Sequence, residues 1–163
     1  MHKDTKKMMH LTLFLALSIV LHFFDPGLGY LGAKLGIANI VGVVVLKWYG
    51  PKAMINNNLL RVLVVSLMRG TLFNTPFYTS LVGVGLSTLV VIIINRLMDP
   101  SILMLSVVSS IFHPIGQIVV ISKLYSVNQI FFMLPILLIL SIMAGVASGK
   151  VTEEVLNRMG RSE

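Results

Sequence analysis

The chain has 163 residues, of which 56% are hydrophobic and only 12% charged, with a formal net charge of +7 and a mean hydropathy of +0.91. Soluble domains carry about 25% charged residues, so this composition excludes a water-soluble globular fold and predicts an all-α membrane protein, one bundle of six transmembrane helices. Cysteine is absent, which removes disulfides, thiolate metal sites and a Cys nucleophile.

In chain order, apolar blocks alternate with short Gly, Pro, Asn or charged breaks, and about 20 apolar residues cross a hydrocarbon core. The first predicted helix is 9–24. With the MHKDTKK before it, it has the basic and apolar parts of a signal peptide, but the following DPGLGYLG lacks a small-x-small cleavage site, so it reads as a retained helix. Thr12, Ala16 and Val20 recur on it at four-residue spacing. They form a smooth strip that faces either another helix or a partner protein.

The next connection is crowded by Gly27, Gly29, Gly32 and Gly36 and carries Lys34, with Asn39 following. Glycines permit tight turns and close ligand approach, and a helix beginning near Lys34 offers free backbone donors to an anion. A plain re-entry turn accounts for the same residues. The second helix is predicted over 35–49 and the third over 53–69, separated by Gly50-Pro51.

The third helix places Asn58, Arg61 and Arg69 along one stripe. A guanidinium is a rigid fork of donors suited to carboxylate or phosphate, so the stripe suggests an anion site. The alternative has Arg69 snorkelling to the surface and Arg61 tied to helix carbonyls or to Asp25.

The fourth helix, 77–97, and the sixth, 128–149, each carry a face of small residues: Ser80, Gly83 and Ser87 on one, Ser141, Gly145 and Ser148 on the other. Such faces let helices approach closely in lipid. The fifth, 101–122, has Ser106, Ser110, His113 and Gln117 on a single stripe that should point inward, and Pro114 frees the carbonyl of Ser110. A small-molecule site and simple interhelical hydrogen bonding both explain that stripe. The whole chain, 1–163, reads as one membrane domain with short tails at 1–8 and 150–163, the latter a solvated extension.

Cytoplasmic flanks retain Lys and Arg. With the amino terminus inside, Lys3, Lys6, Lys7, Lys47, Lys52, Arg96, Lys150, Arg158 and Arg161 are cytoplasmic, and only Lys34, Arg69 and Lys123 are external. Both termini are therefore expected in the cytoplasm, and the net positive charge needs no nucleic-acid partner.

Enzyme templates find no match. The six acidic residues form no paired carboxylates, no Asp-rich magnesium site and no His-Glu-x-x-His motif, and no phosphate loop is present. The four His lack metal-site spacing. No cofactor is expected.

The segments AKLGIANIVGVVVLKWYGPKA, LLRVLVVSLMRGTLF, YTSLVGVGLSTLVVIII and SSIFHPIGQIVVIS, in this order, resemble the bacterial heptaprenyl diphosphate synthase component I family, also called the Gx transporter family. The resemblance runs from roughly Leu11 to Gly149 and rests on the combination K-L-G-x-A-N-I, R-x-x-x-x-S and F-H-x-x-G-Q. The chain departs from the family pattern at Pro114, where Asn is expected, and at Gly83-Val84-Gly85, where the pattern has adjacent glycines.

The family is in turn similar to the substrate-binding S-components of energy-coupling-factor transporters. That likeness implies a bacterial plasma-membrane protein that captures a small, anionic or isoprenoid-related solute. Lys34, Asn39, Asn58, Arg61, Arg69, Ser110, His113 and Gln117 are the candidates for holding it. Thr12, Ala16 and Val20 would then meet a membrane coupling protein served by separate ATPases. The family's enzymatic name implies instead an accessory membrane subunit for making the heptaprenyl tail of menaquinone.

Overall fold

The computed structural model of the protein describes residues 3–24 and 38–158. They form six helices: α1 (Lys3–Phe24), α2 (Asn39–Tyr49), α3 (Pro51–Met68), α4 (Thr75–Leu97), α5 (Ile102–Tyr125) and α6 (Leu134–Arg158), the last preceded by a 3-10 segment, Asn128–Met133. No strand occurs among the described residues. The all-α membrane bundle expected from composition is therefore present.

Polarity is distributed as lipid demands. Large apolar side chains such as Leu13, Leu67, Leu89, Ile136, Ile139 and Met143 point outward, while Ser18, Ser87, Ser109, Ser141 and Thr152 are buried. With hydrocarbon outside, burial of Leu gains little, and small or hydrogen-bonding side chains hold the interfaces.

Four segments are long and apolar enough to cross a membrane: Thr5–Phe23, Thr75–Leu97, Ile102–Tyr125 and Asn128–Arg158. These four are counted among the described residues, and all six expected helices are present. There α2 has 11 residues, about 16 Å of rise against a core of about 30 Å, and positions 35–37 of the expected second helix lie outside the described residues. The 18 residues of α3 include Lys52, Asn56, Asn57, Asn58 and Arg61, which lower its apolarity. The solvated tail is corrected: α6 continues to Arg158 because Thr152 and Leu156 repeat at four-residue spacing, and both are buried.

Local sequence explains the joints. Gly50 alone, at φ 83, links α2 to α3, a conformation that favours glycine, and Pro51 follows where a helix tolerates it. At the other end of α3, Gly70 has φ 63 and the Thr71 amide donates to the Ser66 carbonyl at 2.9 Å, a left-handed helix stop. The Ser101 hydroxyl accepts from the Met104 amide at the start of α5, a side-chain cap.

Long-range bonds set the directions of the helices. His10 and Tyr49 meet at 2.7 Å, Lys47 donates to the Pro100 carbonyl, and at the opposite end Thr75 meets Tyr125 at 3.0 Å. Successive helices therefore alternate in direction, and α1 runs parallel to α3. One end of the bundle gathers Lys6, Lys7, Lys47, Lys52, Arg96, Lys150 and Arg158.

The helix α5 packs between α4 and α6, and α2 contacts α1, α3, α5 and α6. The largest apolar core lies toward the lysine-rich end, where Val43, Val45, Leu46, Met54, Leu105 and Leu156 pack together. A smaller one, Val62, Phe77 and Val84, lies toward the other.

Candidate functional site

Between these cores lies a polar layer. Its centre is Arg61, the largest fully buried side chain, at 0% exposure. It donates through one terminal nitrogen to the Ala38 carbonyl and through the other to Oδ1 of Asn39 at 3.0 Å. Ala38 and Asn39 stand at the start of α2, so the guanidinium rests against the first turn of a short helix. A buried Arg is costly in a bilayer interior, about 2.5–3.5 kcal/mol on insertion scales, and these acceptors offset part of that cost.

One turn earlier on α3, the Asn58 amide donates to Thr88 of α4 at 2.8 Å. Its side chain lies against Gly42 of α2, where an added Cβ would meet Oδ1 at 3.1 Å. Nδ2 of Asn39 and Oδ1 of Asn58 are buried with no hydrogen-bond partner among the described residues. Two amide groups beside a buried cation thus retain bonding capacity.

The inward stripe on α5 is as expected: Ser106, Ser110, His113 and Gln117 are all buried. Nε2 of Gln117 lies 3.0 Å from Nε2 of His113; with the amide donating, His113 is the neutral tautomer protonated on Nδ1. This pair sits where α4 comes closest, since a Cβ on Gly83 would meet Cγ of Gln117 and the His113 carbonyl at 2.9 Å. Ser110 instead lies beside Gly145 of α6. The small faces of α4 and α6 serve close packing, as expected. Gly85 has nothing within 4 Å of an added Cβ, so only the first glycine of Gly83-Val84-Gly85 makes a close approach.

Arg69 does not join Arg61. Because α3 stops at Met68, Arg69 is exposed; its guanidinium reaches the His22 and Phe23 carbonyls at 3.4 Å and lies 4.7 Å from the Phe23 ring centroid. It therefore complements the carbonyl end of α1, and the predicted stripe of two guanidinium groups is corrected to one buried Arg and one surface Arg.

Lys34 and the surrounding glycines lie outside the described residues. Thr12, Ala16 and Val20 are all exposed, so that strip of α1 is left uncovered by the described residues. Asn57 and Thr88 went unnoticed in the sequence; both are buried polar residues.

Among the described residues, no group of three or more His, Asp or Glu could hold a metal ion. Asp99, Glu153 and Glu154 are exposed. The arrangement is suited to binding an anionic or hydrogen-bonding group, with a cation and neutral amides as its instruments.

A family model described as heptaprenyl diphosphate synthase component I matches residues 8–155. No curated protein matches the chain, and no solved structure does.

Proposed function

The chain belongs to the heptaprenyl diphosphate synthase component I family, and from that premise we propose that it is a non-catalytic membrane subunit whose partner is the catalytic second component of a heptaprenyl diphosphate synthase. Its work is to bind at the membrane, where a long prenyl chain partitions, while the partner makes the bonds.

The observation that carries this reading is the chemistry of the bundle interior: Arg61, Asn39, Asn58, His113 and Gln117 are buried there. Prenyl transfer expels a diphosphate, and Mg2+ held by carboxylates is the usual means of neutralising that leaving group. The six acidic residues of the sequence, Asp4, Asp25, Asp99, Glu153, Glu154 and Glu163, form no Asp-rich motif for it, and the described residues hold no metal-binding group of three. The cation and amides suit recognition of an anion.

The same interior also favours a second reading, an S-component that captures a small anionic solute and docks on a coupling protein with ATPases. The exposed strip of Thr12, Ala16 and Val20 supports that docking. Both readings place the chain in a bacterial plasma membrane with its lysine-rich end in the cytoplasm, which the clustering of Lys and Arg at one end supports.

Capture of the tagged full chain from native membranes, followed by protein identification, separates the two. The first reading expects a prenyl synthase catalytic subunit, with prenyl product formed only when that subunit is present. Recovery of ATPases and a membrane coupling protein without any synthase would replace it with the second. Product formation by the purified chain alone would overturn the non-catalytic assignment.

A further inference from the structure

A groove of about 250 Å3 runs between α1 and α3, lined by Met8, Leu11, Thr12, Leu15, Ala53, Asn56, Asn57 and Leu60. Most of its wall is apolar. Asn57 is the exception that matters: it is 4% exposed, and neither its amide nitrogen nor its oxygen has a hydrogen-bond partner among the described residues. A buried amide with both functions idle costs free energy, so a hydrogen-bonding group from outside the chain that reached it through the groove would be favoured.

The surroundings indicate its chemistry. Lys7 precedes Leu11 by one turn, and Lys52 precedes Asn56 by one turn, so both extend the groove-facing stripes toward the same end of the bundle. Both are exposed. The two helices run parallel, so their amino-terminal dipole ends also gather there, and α3 has no acidic residue in its first turn and no side-chain cap. The groove is therefore largely apolar along its length, hydrogen-bonding at Asn57, and flanked at its mouth by the two cations Lys7 and Lys52, with Asp4 one turn before Met8.

We propose that the α1–α3 groove is a binding site for an anionic diacyl phospholipid. Its phosphate lies between Lys7 and Lys52, its glycerol ester region meets Asn57, and an acyl chain follows Leu11, Leu15 and Leu60. The five helical steps from Lys52 to Asn57 rise ~7.5 Å, a distance comparable to that from phosphate to ester carbonyls in such a lipid. An ester carbonyl accepts from the Asn57 amide, and a headgroup hydroxyl, or a water that the lipid traps, donates to its oxygen. A bare prenyl chain offers neither group. This site is separate from the Arg61 layer.

The test uses the purified full chain in mixed micelles doped with either dioleoyl phosphatidylglycerol or dioleoyl phosphatidylcholine, with thermal melting and native mass spectrometry as readouts. The wild type should be stabilised more by phosphatidylglycerol and retain it preferentially. Replacing both Lys7 and Lys52 with Gln, on exposed positions that leave the fold intact, should weaken phosphatidylglycerol binding about fivefold per lysine and abolish the headgroup preference. Asn57→Leu should melt at least as high as the wild type without added lipid, because it removes an idle buried amide, yet lose most of the lipid-induced shift. Equal stabilisation by the two lipids in the wild type, or an unchanged preference in the double lysine variant, would overturn the proposal. So would preference for a prenyl diphosphate over both lipids at this groove.

Discussion

Gly116 of α5 and Gly83 of α4 meet backbone to backbone: a Cβ on Gly116 would lie 2.8 Å from Cα of Gly83 and 2.9 Å from the Val82 carbonyl. Neither of those atoms can move aside without moving a helix. The contact also sets the depth at which His113 and Gln117 face α4, so packing and the polar layer share one constraint.

Gly116→Ala is accordingly expected to destabilise the purified protein by about 1–3 kcal/mol, the usual cost of overpacking. Gly85→Ala, with open space around its Cβ, should be neutral or mildly stabilising, because alanine is the better helix former. Paired melting curves check this, and similar losses in both variants would contradict the close-approach account.

Arg61→Gln is expected to be the more damaging of the two Arg substitutions, since it leaves the Ala38 carbonyl and Asn39 without their charged donor. A double-mutant cycle with Asn39→Ala should return a coupling of about 1.5–3 kcal/mol. Additive effects would mean that the 3.0 Å contact contributes little.

Arg69→Gln should cost no more than about 1 kcal/mol, because a surface cation at a helix end and over an exposed ring contributes on that scale. Abundance in the membrane and melting temperature should stay near wild type. A loss as large as that of Arg61→Gln would show that the α1–α3 junction depends on it.

Single Cys residues introduced at 52 and 150 should be labelled from one side of the membrane and one at 123 from the other, in a chain whose sequence has no cysteine. The proposed orientation, with the cation-rich end inside, puts positions 52 and 150 in the cytoplasm. Labelling of position 52 by an impermeant reagent on intact cells would reverse the orientation.

Helical periodicity made much of this legible in advance. The stripe Ser106, Ser110, His113 and Gln117 and the small faces of α4 and α6 follow from the angle per residue alone, and all became buried as expected. Periodicity fails where a helix ends, and Arg69 fell just beyond such an end, one residue before a glycine with positive φ.

It fails again at Asn56-Asn57-Asn58, where three consecutive identical residues point about 100° apart. Asn56 is exposed at the rim of the groove with α1, Asn57 is buried in its wall, and Asn58 bonds α4. Which of them matters depends on which neighbours surround α3, a fact of tertiary arrangement. The apolar tail residues Thr152 and Leu156 were obscured for a similar reason, since the charged residues among them read as solvent-exposed sequence until α6 was seen to carry them back onto the core.

The single-residue joint at Gly50 has a consequence for how the protein enters the membrane during synthesis. With 11 residues in α2 and a buried Arg in α3, neither helix is a favourable lodger in lipid by itself. Joined by one glycine, they can cross only as a hairpin, with the α2 carbonyl and amide that receive Arg61 arriving alongside it. The helix α1, already apolar enough to span, enters first and is in place to receive them. A longer linker in place of Gly50 is therefore expected to lower the abundance of the chain in the membrane, because Arg61 and its acceptors at the start of α2 would be held together less closely.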